Sequence, residues 1–249
     1  MRVLCLLLLL LPVVPATALD CGPLTHRGAA FTVCRADAAR DDLRLFLDDP
    51  ETGKPLGSFA NLQAMLAREG LDLAFAMNAG MYHQDRSPVG YYVEDGTERA
   101  PLIRSAGPGN FGLLPNGVFC IGEGRARVIE TERFARERPA CRYATQSGPM
   151  LVIDGALHPR FLRDSDSLYV RNGVGTSEDG RSVWFAISDR AVNFHRFATL
   201  FRDALGTPQA LYLDGSISRL FAPDIGRQDG GFPMGPMVAV VSAARAAGD

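Results

Sequence analysis

The alternation of apolar and polar residues divides the chain into short segments. Phe31-Thr32-Val33 and Leu43 to Leu47 (Leu-Arg-Leu-Phe-Leu) alternate with the period of half-buried strands, and Asp41-Asp42 marks a turn between them. Ser58 to Glu69 has helical spacing: Leu62, Met65 and Leu66 share a face, Ser58 is placed as the cap, and Gly70 is the stop. Leu71 to Met77 is apolar except at Asp72, as in a strand covered on both faces. Val89 to Val93 predicts a further strand, ending in Glu94-Asp95-Gly96. From there the pattern reads as a β-meander. Phe111 to Leu114 and Val118 to Ile121 flank Pro115-Asn116-Gly117, a hairpin signal. Arg127 to Ile129, Met150 to Ile153, Val174 and Val183 to Ile187 are strands, the last two joined through Ser177-Glu178-Asp179-Gly180. Asn193 caps a second helix, with Phe194, Phe197, Leu200, Phe201 and Leu205 on one face and Gly206 at its end. Ala210 to Leu213 and Met237 to Val241 are the last strands. The expectation is an α+β fold: one domain, a mostly antiparallel or mixed β-sheet, and two main helices packed on it.

The N-terminal segment changes the compartment. Arg2, the apolar run Val3 to Val14 and the small-residue site Ala16-Thr17-Ala18 form the three-part pattern of an export signal, too short for a membrane span. Cleavage there leaves residues 19–249 as the mature domain, periplasmic or secreted. Asp20 argues against a lipid anchor on Cys21, because that position requires a small residue. No other apolar stretch is long enough to span a bilayer. Acidic and basic residues number 28 and 26, so no broad positive field invites nucleic acid. Lys54 is the only lysine, and no Schiff-base, phosphate-loop or Ser-Lys motif surrounds it.

Without Cys5 of the signal, Cys21, Cys34, Cys120 and Cys141 remain. An even number outside the cytoplasm predicts two disulfides. The favoured pairing is Cys21–Cys34 with Cys120–Cys141, because each closes a short local loop; buried free thiols are the alternative. No C-x-x-C occurs, which argues against a redox dithiol or a zinc knuckle. The histidines His26, His83, His158 and His195 lack close ligand spacing, so no metal site is expected. Gly107-Pro108-Gly109-Asn110-Phe111-Gly112 has the spacing of a dinucleotide fingerprint. Pro108 and the predicted hairpin after it deny the strand–turn–helix context, so it reads as a turn-rich loop and no cofactor is expected.

Four polar clusters stand where buried strands begin or end: Asn78 to Tyr82, Ser147-Gly148-Pro149, Arg171-Asn172-Gly173 and Asp214 to Ser218. Taken singly, each is ordinary turn chemistry. Taken in order, with Met77-Asn78-Ala79-Gly80-Met81-Tyr82, Ser87-Pro88-Val89-Gly90, Gln146 to Val152, Arg171 to Gly175, Ser188-Asp189 and Tyr212 to Ser216, the chain resembles the phosphodiester glycosidase family from about Phe31 to Ser242. One departure is visible. Many members of that family carry a glycine run and a serine after Leu-Asp, where this chain reads Asp214-Gly215-Ser216-Ile217-Ser218, closer to a small bacterial periplasmic branch.

The resemblance implies a hydrolase that cleaves between a sugar anomeric carbon and a phosphodiester oxygen, in an envelope or extracellular glycan. Ordinary glycosidases need two carboxyls. A phosphate leaving group is already a weak base, so one carboxylate and a cation suffice. Asp214 is the expected carboxylate, Arg171 the phosphate clamp, and Asn78 the residue that orients sugar hydroxyls or the phosphate. Ser147, Gly148, Ser216 and Ser218 are candidate hydrogen-bond donors, with Gly80 and Gly215 in the same turns. Tyr82 is placed to stack on a sugar ring, and Asp189 is a second carboxylate candidate. The competing readings are a structural Arg171–Asp214 ion pair and a non-catalytic glycan-binding envelope protein.

Overall fold

The computed structural model describes residues 19–214 and 217–244; the predicted export segment, Gly215 and Ser216 lie outside them. Among the described residues the chain forms β1 (Asp20–His26), β2 (Ala29–Asp37), β3 (Asp42–Phe46), helix α1 (Phe59–Arg68), β4 (Leu71–Asn78), β5 (Tyr92–Glu94) and β6 (Thr97–Ala100). Next come β7 (Gly117–Gly122), β8 (Arg125–Glu130), helix α2 (Thr131–Glu137), β9 (Tyr143–Ser147), β10 (Met150–Ile153) and β11 (Ala156–Leu157). The last part holds β12 (Asn172–Thr176), β13 (Ser182–Ser188), helix α3 (Phe194–Thr199), β14 (Gln209–Tyr212), β15 (Leu220–Ala222), β16 (Arg227–Gln228) and β17 (Met237–Ala243).

These strands make three sheets: β1-β2-β13-β12-β14-β10-β11, β16-β15-β4-β17-β3, and β6-β5-β9-β7-β8. Every strand pairing within them is antiparallel, so the mixed component of the expectation is absent among the described residues. The sheets face one another across a common core. Phe75 of β4, Phe119 of β7 and Phe185 of β13 meet there, one from each sheet, with ring centroids 4.9 Å (Phe75–Phe185) and 5.9 Å (Phe119–Phe185) apart. Such aromatic clusters add roughly 0.5–1.5 kcal/mol per pair beyond the area they bury.

Helix α1 begins where the pattern placed it. The Ser58 side chain accepts from the Asn61 amide, and Phe59, Leu62, Met65 and Leu66 are buried against the outer face of the second sheet. Helix α3 is capped by Asn193, continues as a π-turn over Leu200–Ala204, and buries Phe197, Leu200 and Phe201 on the outer face of the first sheet. Both predicted disulfide pairs are bonded, Cys21–Cys34 across β1 and β2 and Cys120–Cys141 between β7 and the approach to β9.

Two expectations are corrected. There are three α-helices among the described residues, not two. The missed one, α2, is a short charged helix that buries only Thr131 and Phe134, too few apolar positions to show a period. It starts because the Glu130 carboxylate accepts from the Glu132 and Arg133 amides. The Phe111–Leu114 strand and its hairpin are also absent. Asn110–Gly112 is a short 3₁₀ turn, and Val118 to Ile121 pairs with β8 and β9 instead. Asn116 is fully buried rather than at a turn tip: its amide donates to the Phe111 carbonyl and its carbonyl accepts from the Thr131 hydroxyl.

Candidate active site

Strand ends from all three sheets meet at one point. Asn78 closes β4, Ser147 closes β9, Asn172 opens β12, and Tyr212 closes β14 just ahead of Asp214. The Ser147 hydroxyl donates to the Leu213 carbonyl at 2.8 Å. The Asn172 amide donates to the Asp214 carbonyl at 2.9 Å and to the Asn78 side-chain oxygen at 2.8 Å. Asn78 donates to the same Asp214 carbonyl at 3.4 Å and accepts from the Arg219 amide at 2.9 Å. Ser218 donates to the carbonyls of Val170 at 2.9 Å and Asp214 at 3.2 Å. The Asp214 carbonyl is therefore held by three side chains, the buried Asn78 and Asn172 and the half-buried Ser218, and each tie makes that backbone harder to displace.

A cleft of about 630 Å³ opens above this cluster, with Asp214, Tyr82, Tyr212, Tyr169, Ser167 and His83 in its walls. The turn-rich loop Gly107 to Phe111 forms another wall. Glycine serves close approach where that loop ends: a Cβ on Gly112 would lie 1.6 Å from the Gly107 carbonyl oxygen. Gly80 has the same kind of reason. A Cβ there would stand 2.4 Å from the Thr145 hydroxyl and 2.5 Å from the Gln146 carbonyl, so glycine lets β4 close against β9. At Gly148 an added Cβ would meet Asn116 at 2.7 Å. Asn78, Gly80, Ser147 and Gly148 are buried and do not line the cleft; among the residues expected at the site Tyr82 and Asp214 line it. Gly215 and Ser216 lie outside the described residues.

The electrostatics centre on two tyrosines. The hydroxyls of Tyr82 and Tyr212 are buried; Tyr82 faces the Asp214 carboxylate and Tyr212 the Arg171 guanidinium, but neither completes a hydrogen bond of good geometry among the described residues. Burial, reinforced by the nearby Asp214 carboxylate, pushes Tyr82 up to about 12. Tyr212 is also pushed up to about 12, by burial first, with Asp214 adding to the rise and Arg171 opposing it. Both are therefore neutral hydroxyl donors at neutral pH.

Arg171 does not line the cleft. It is the largest fully buried side chain, and its guanidinium lies 3.6 Å from the Phe194 ring centroid. Its Nε donates to the Val192 carbonyl at 2.8 Å and its Nη2 to the Ser167 carbonyl at 2.9 Å. Nη1 is buried without a hydrogen bond, beside Tyr212, whose ring centroid is 5.5 Å from Cζ. Burial lowers the Arg171 pKa, and the adjacent tyrosines partly offset this. Arg171 therefore reaches the cleft through three wall residues, Ser167, Tyr169 and Tyr212, rather than by lining it. Asp189 stands apart from the cluster. It pairs with Arg227 at 2.7 Å and accepts from the Thr32 hydroxyl at 3.0 Å.

Asn172, Tyr212, Tyr169, Ser167 and His83 carried no assigned role in the sequence reading. Asn172 and Tyr212 stood in the quoted motifs, but only the fold shows one as a hub and the other as a wall. Among the described residues no group of three His, Cys, Asp or Glu side chains is arranged to hold a metal ion.

Comparison with known proteins now bears on this geometry. The phosphodiester glycosidase family profile matches residues 72–233, a span that contains every strand end of the cluster. The chain belongs to the phosphodiester glycosidase family. A protein of Escherichia coli (strain K12), the uncharacterized protein YigE, is 35% identical over 169 residues, 68% of this chain. The matched region spans 65% of that relative's length. The catalytic domain of zebrafish N-acetylglucosamine-1-phosphodiester alpha-N-acetylglucosaminidase, auto-inhibited by its pro-peptide, superposes with a TM-score of 0.59 over 89% of this chain and 81% of that one. At 12% identity that likeness establishes a shared fold.

Proposed function

We propose that this family member is an exported hydrolase that cleaves the bond between a sugar anomeric carbon and a phosphodiester oxygen in an envelope or extracellular glycan. The observation that carries the reading is the pair of buried, unpartnered tyrosine hydroxyls flanking Asp214 in a cleft backed by the Arg171 cation. Unpartnered buried donors are costly, about 1–3 kcal/mol each, and an anionic ligand bearing acceptor oxygens offsets that cost. In this reading the oxygen of a water molecule bonds to the anomeric carbon. The carbon–oxygen bond to phosphate breaks, and its electron pair leaves on the phosphate as a monoester. Asp214 takes the proton from the water and, while charged, stabilises the oxocarbenium-like carbon. Asn78, Asn172 and Ser147 keep Asp214 in place. Arg171 positions Tyr212 and Ser167. The disulfides suit an oxidising compartment, in line with the predicted export signal.

The test is to incubate the mature chain with sugar-1-phosphodiesters and follow free sugar and phosphomonoester together. Stoichiometric release of both, absent in a folded Asp214→Asn variant, is the expected result. Sugar binding without any release would transfer the chain to the non-catalytic glycan-binding reading.

A further inference from the structure

A phosphodiester site needs a place for the charged phosphate, and Arg171, sealed behind Phe194 and Tyr212, is not free to supply it by contact. Two other guanidinium groups stand beside the cleft-wall residue Tyr82, neither of them among the lining residues. Arg86 lies over the Tyr82 ring, with Cζ 5.5 Å from the ring centroid. Arg219 is 8% exposed, sends its amide to Asn78, and anchors its side chain on the Phe232 carbonyl. Both guanidinium groups act on the Tyr82 hydroxyl, against Asp214.

Arg86 is held there by its backbone. Its φ is 76°, in the left-handed region that is uncommon for a non-glycine residue and that Arg27, Asp95, Arg138 and Asp154 also adopt. The turn is braced: Tyr82 bridges to Pro88, the His83 amide donates to Ser87, and the Arg86 amide donates to His83. The nearest carboxylate in sequence, Asp85, is occupied by the amide and hydroxyl of Ser87, at 3.0 and 2.6 Å. Among the described residues no salt bridge to a carboxylate within 4.0 Å involves Arg86, whereas Arg99 pairs with both Asp48 and Glu94. A braced turn that presents a cation without a salt bridge over a cleft-wall tyrosine has the form of a prepared anion contact.

We propose that the Tyr82 end of the cleft is its phosphate subsite, with Arg86 as the direct contact to the non-bridging oxygens and Arg219 as the buried charge behind it. The sugar then lies toward Tyr169 and Tyr212, where the wall is aromatic. This orientation rests on the reading of the cleft as a sugar-phosphodiester site, and it places the scissile bond over Asp214, between the two ends. Guanidinium matches the planar pair of non-bridging oxygens in a phosphodiester.

The experiment uses the mature chain and equilibrium binding by calorimetry. The probes are glucose 1-phosphate, galactose 1-phosphate and mannose 1-phosphate, each beside its unphosphorylated sugar. Arg86→Gln should weaken the best sugar phosphate roughly 10- to 100-fold and leave the parent sugar unchanged. Arg86→Lys should fall between the two, since it keeps the charge and loses the fork. An unchanged melting temperature guards against a loop that has simply let go. Equal affinity of Arg86→Gln and wild type for the sugar phosphate overturns the subsite, as does an equal loss for sugar and sugar phosphate. If the wild type binds neither class but hydrolyses a phosphodiester, this orientation falls and the proposed function stands. If it neither binds nor hydrolyses, both fall.

Discussion

Arg227 and Arg171 occupy two seams of the molecule under opposite conditions. Arg227, on the edge strand β16, reaches across to the first sheet. It bonds Asp189 at 2.7 Å and the Thr32 hydroxyl at 2.6 Å, with Asp229, just past β16, at 3.2 Å. Its charge is balanced where it stands, partly in water, and the whole group works as a latch between sheets. Arg171 is fully buried on aromatic rings, with no carboxylate in ion-pair contact among the described residues and one nitrogen unpartnered. A fold gains nothing from leaving a buried cation unbalanced, because desolvation costs several kcal/mol that a carboxylate would offset. The latch satisfies itself; in the proposed reading the donors at the cleft are completed by the ligand. On this contrast, changes at the cleft should alter turnover and changes at the latch should alter stability.

The largest expected effect is at Asp214. Asp214→Asn should lower phosphodiester hydrolysis by at least about 10²- to 10³-fold with the circular dichroism spectrum retained, because the amide keeps the shape and removes the charge. Full activity in the folded variant would take Asp214 out of the mechanism. Next in size, and on the stability side, is removal of the Cys120–Cys141 bridge. Replacing both cysteines by serine should cost roughly 2–4 kcal/mol in denaturant unfolding, while kcat measured well below the melting temperature stays as in the wild type. A loss of kcat at full folding would show that the third sheet communicates with the cleft.

Tyr212→Phe should reduce kcat by about 10- to 100-fold and leave stability level or raised, since it removes a buried hydroxyl that has no partner. A large fall in stability would mean that the hydroxyl is spoken for inside the fold. The smallest effect belongs to Asp189→Asn, which should cost at most about 1 kcal/mol of stability with unchanged kcat and KM, as for a partly exposed ion pair. A fall in kcat there would erase the distinction between the two seams and return Asp189 to the list of catalytic carboxylates.

Much of this contrast was out of reach along the chain. Asp189 and Asp214 both follow short apolar strands, and nothing local separates a latch carboxylate from a cleft carboxylate. Arg171, written next to Asn172-Gly173, reads as a free cation at a strand end. Its burial depends on Phe194 and Tyr212, 23 and 41 residues further on. The Asn116-Gly117 pair reads as a hairpin because turn propensity is local, whereas the buried bonds of Asn116 to Phe111 and Thr131 are not.

What the sequence determined by itself is the set of features with local physical causes. Those are the Ser58 and Asn193 caps, the apolar faces of α1 and α3, the covered strands β4 and β14, and the two disulfides that close short loops. The order of the polar clusters also carried the family, because each cluster sits at a strand end whatever the sheets then do. Only the tertiary structure decided that three sheets, rather than one, bring those ends together. It also decided which polar groups were consumed in doing so. The side-chain amino groups of Asn78 and Asn172 and the Ser147 hydroxyl donate to the Asp214 and Leu213 backbone, while the hydroxyls of Tyr82 and Tyr212 complete no hydrogen bond. Which buried donors remain unpartnered is a property of the packed whole, since every partner that could satisfy them comes from another part of the chain.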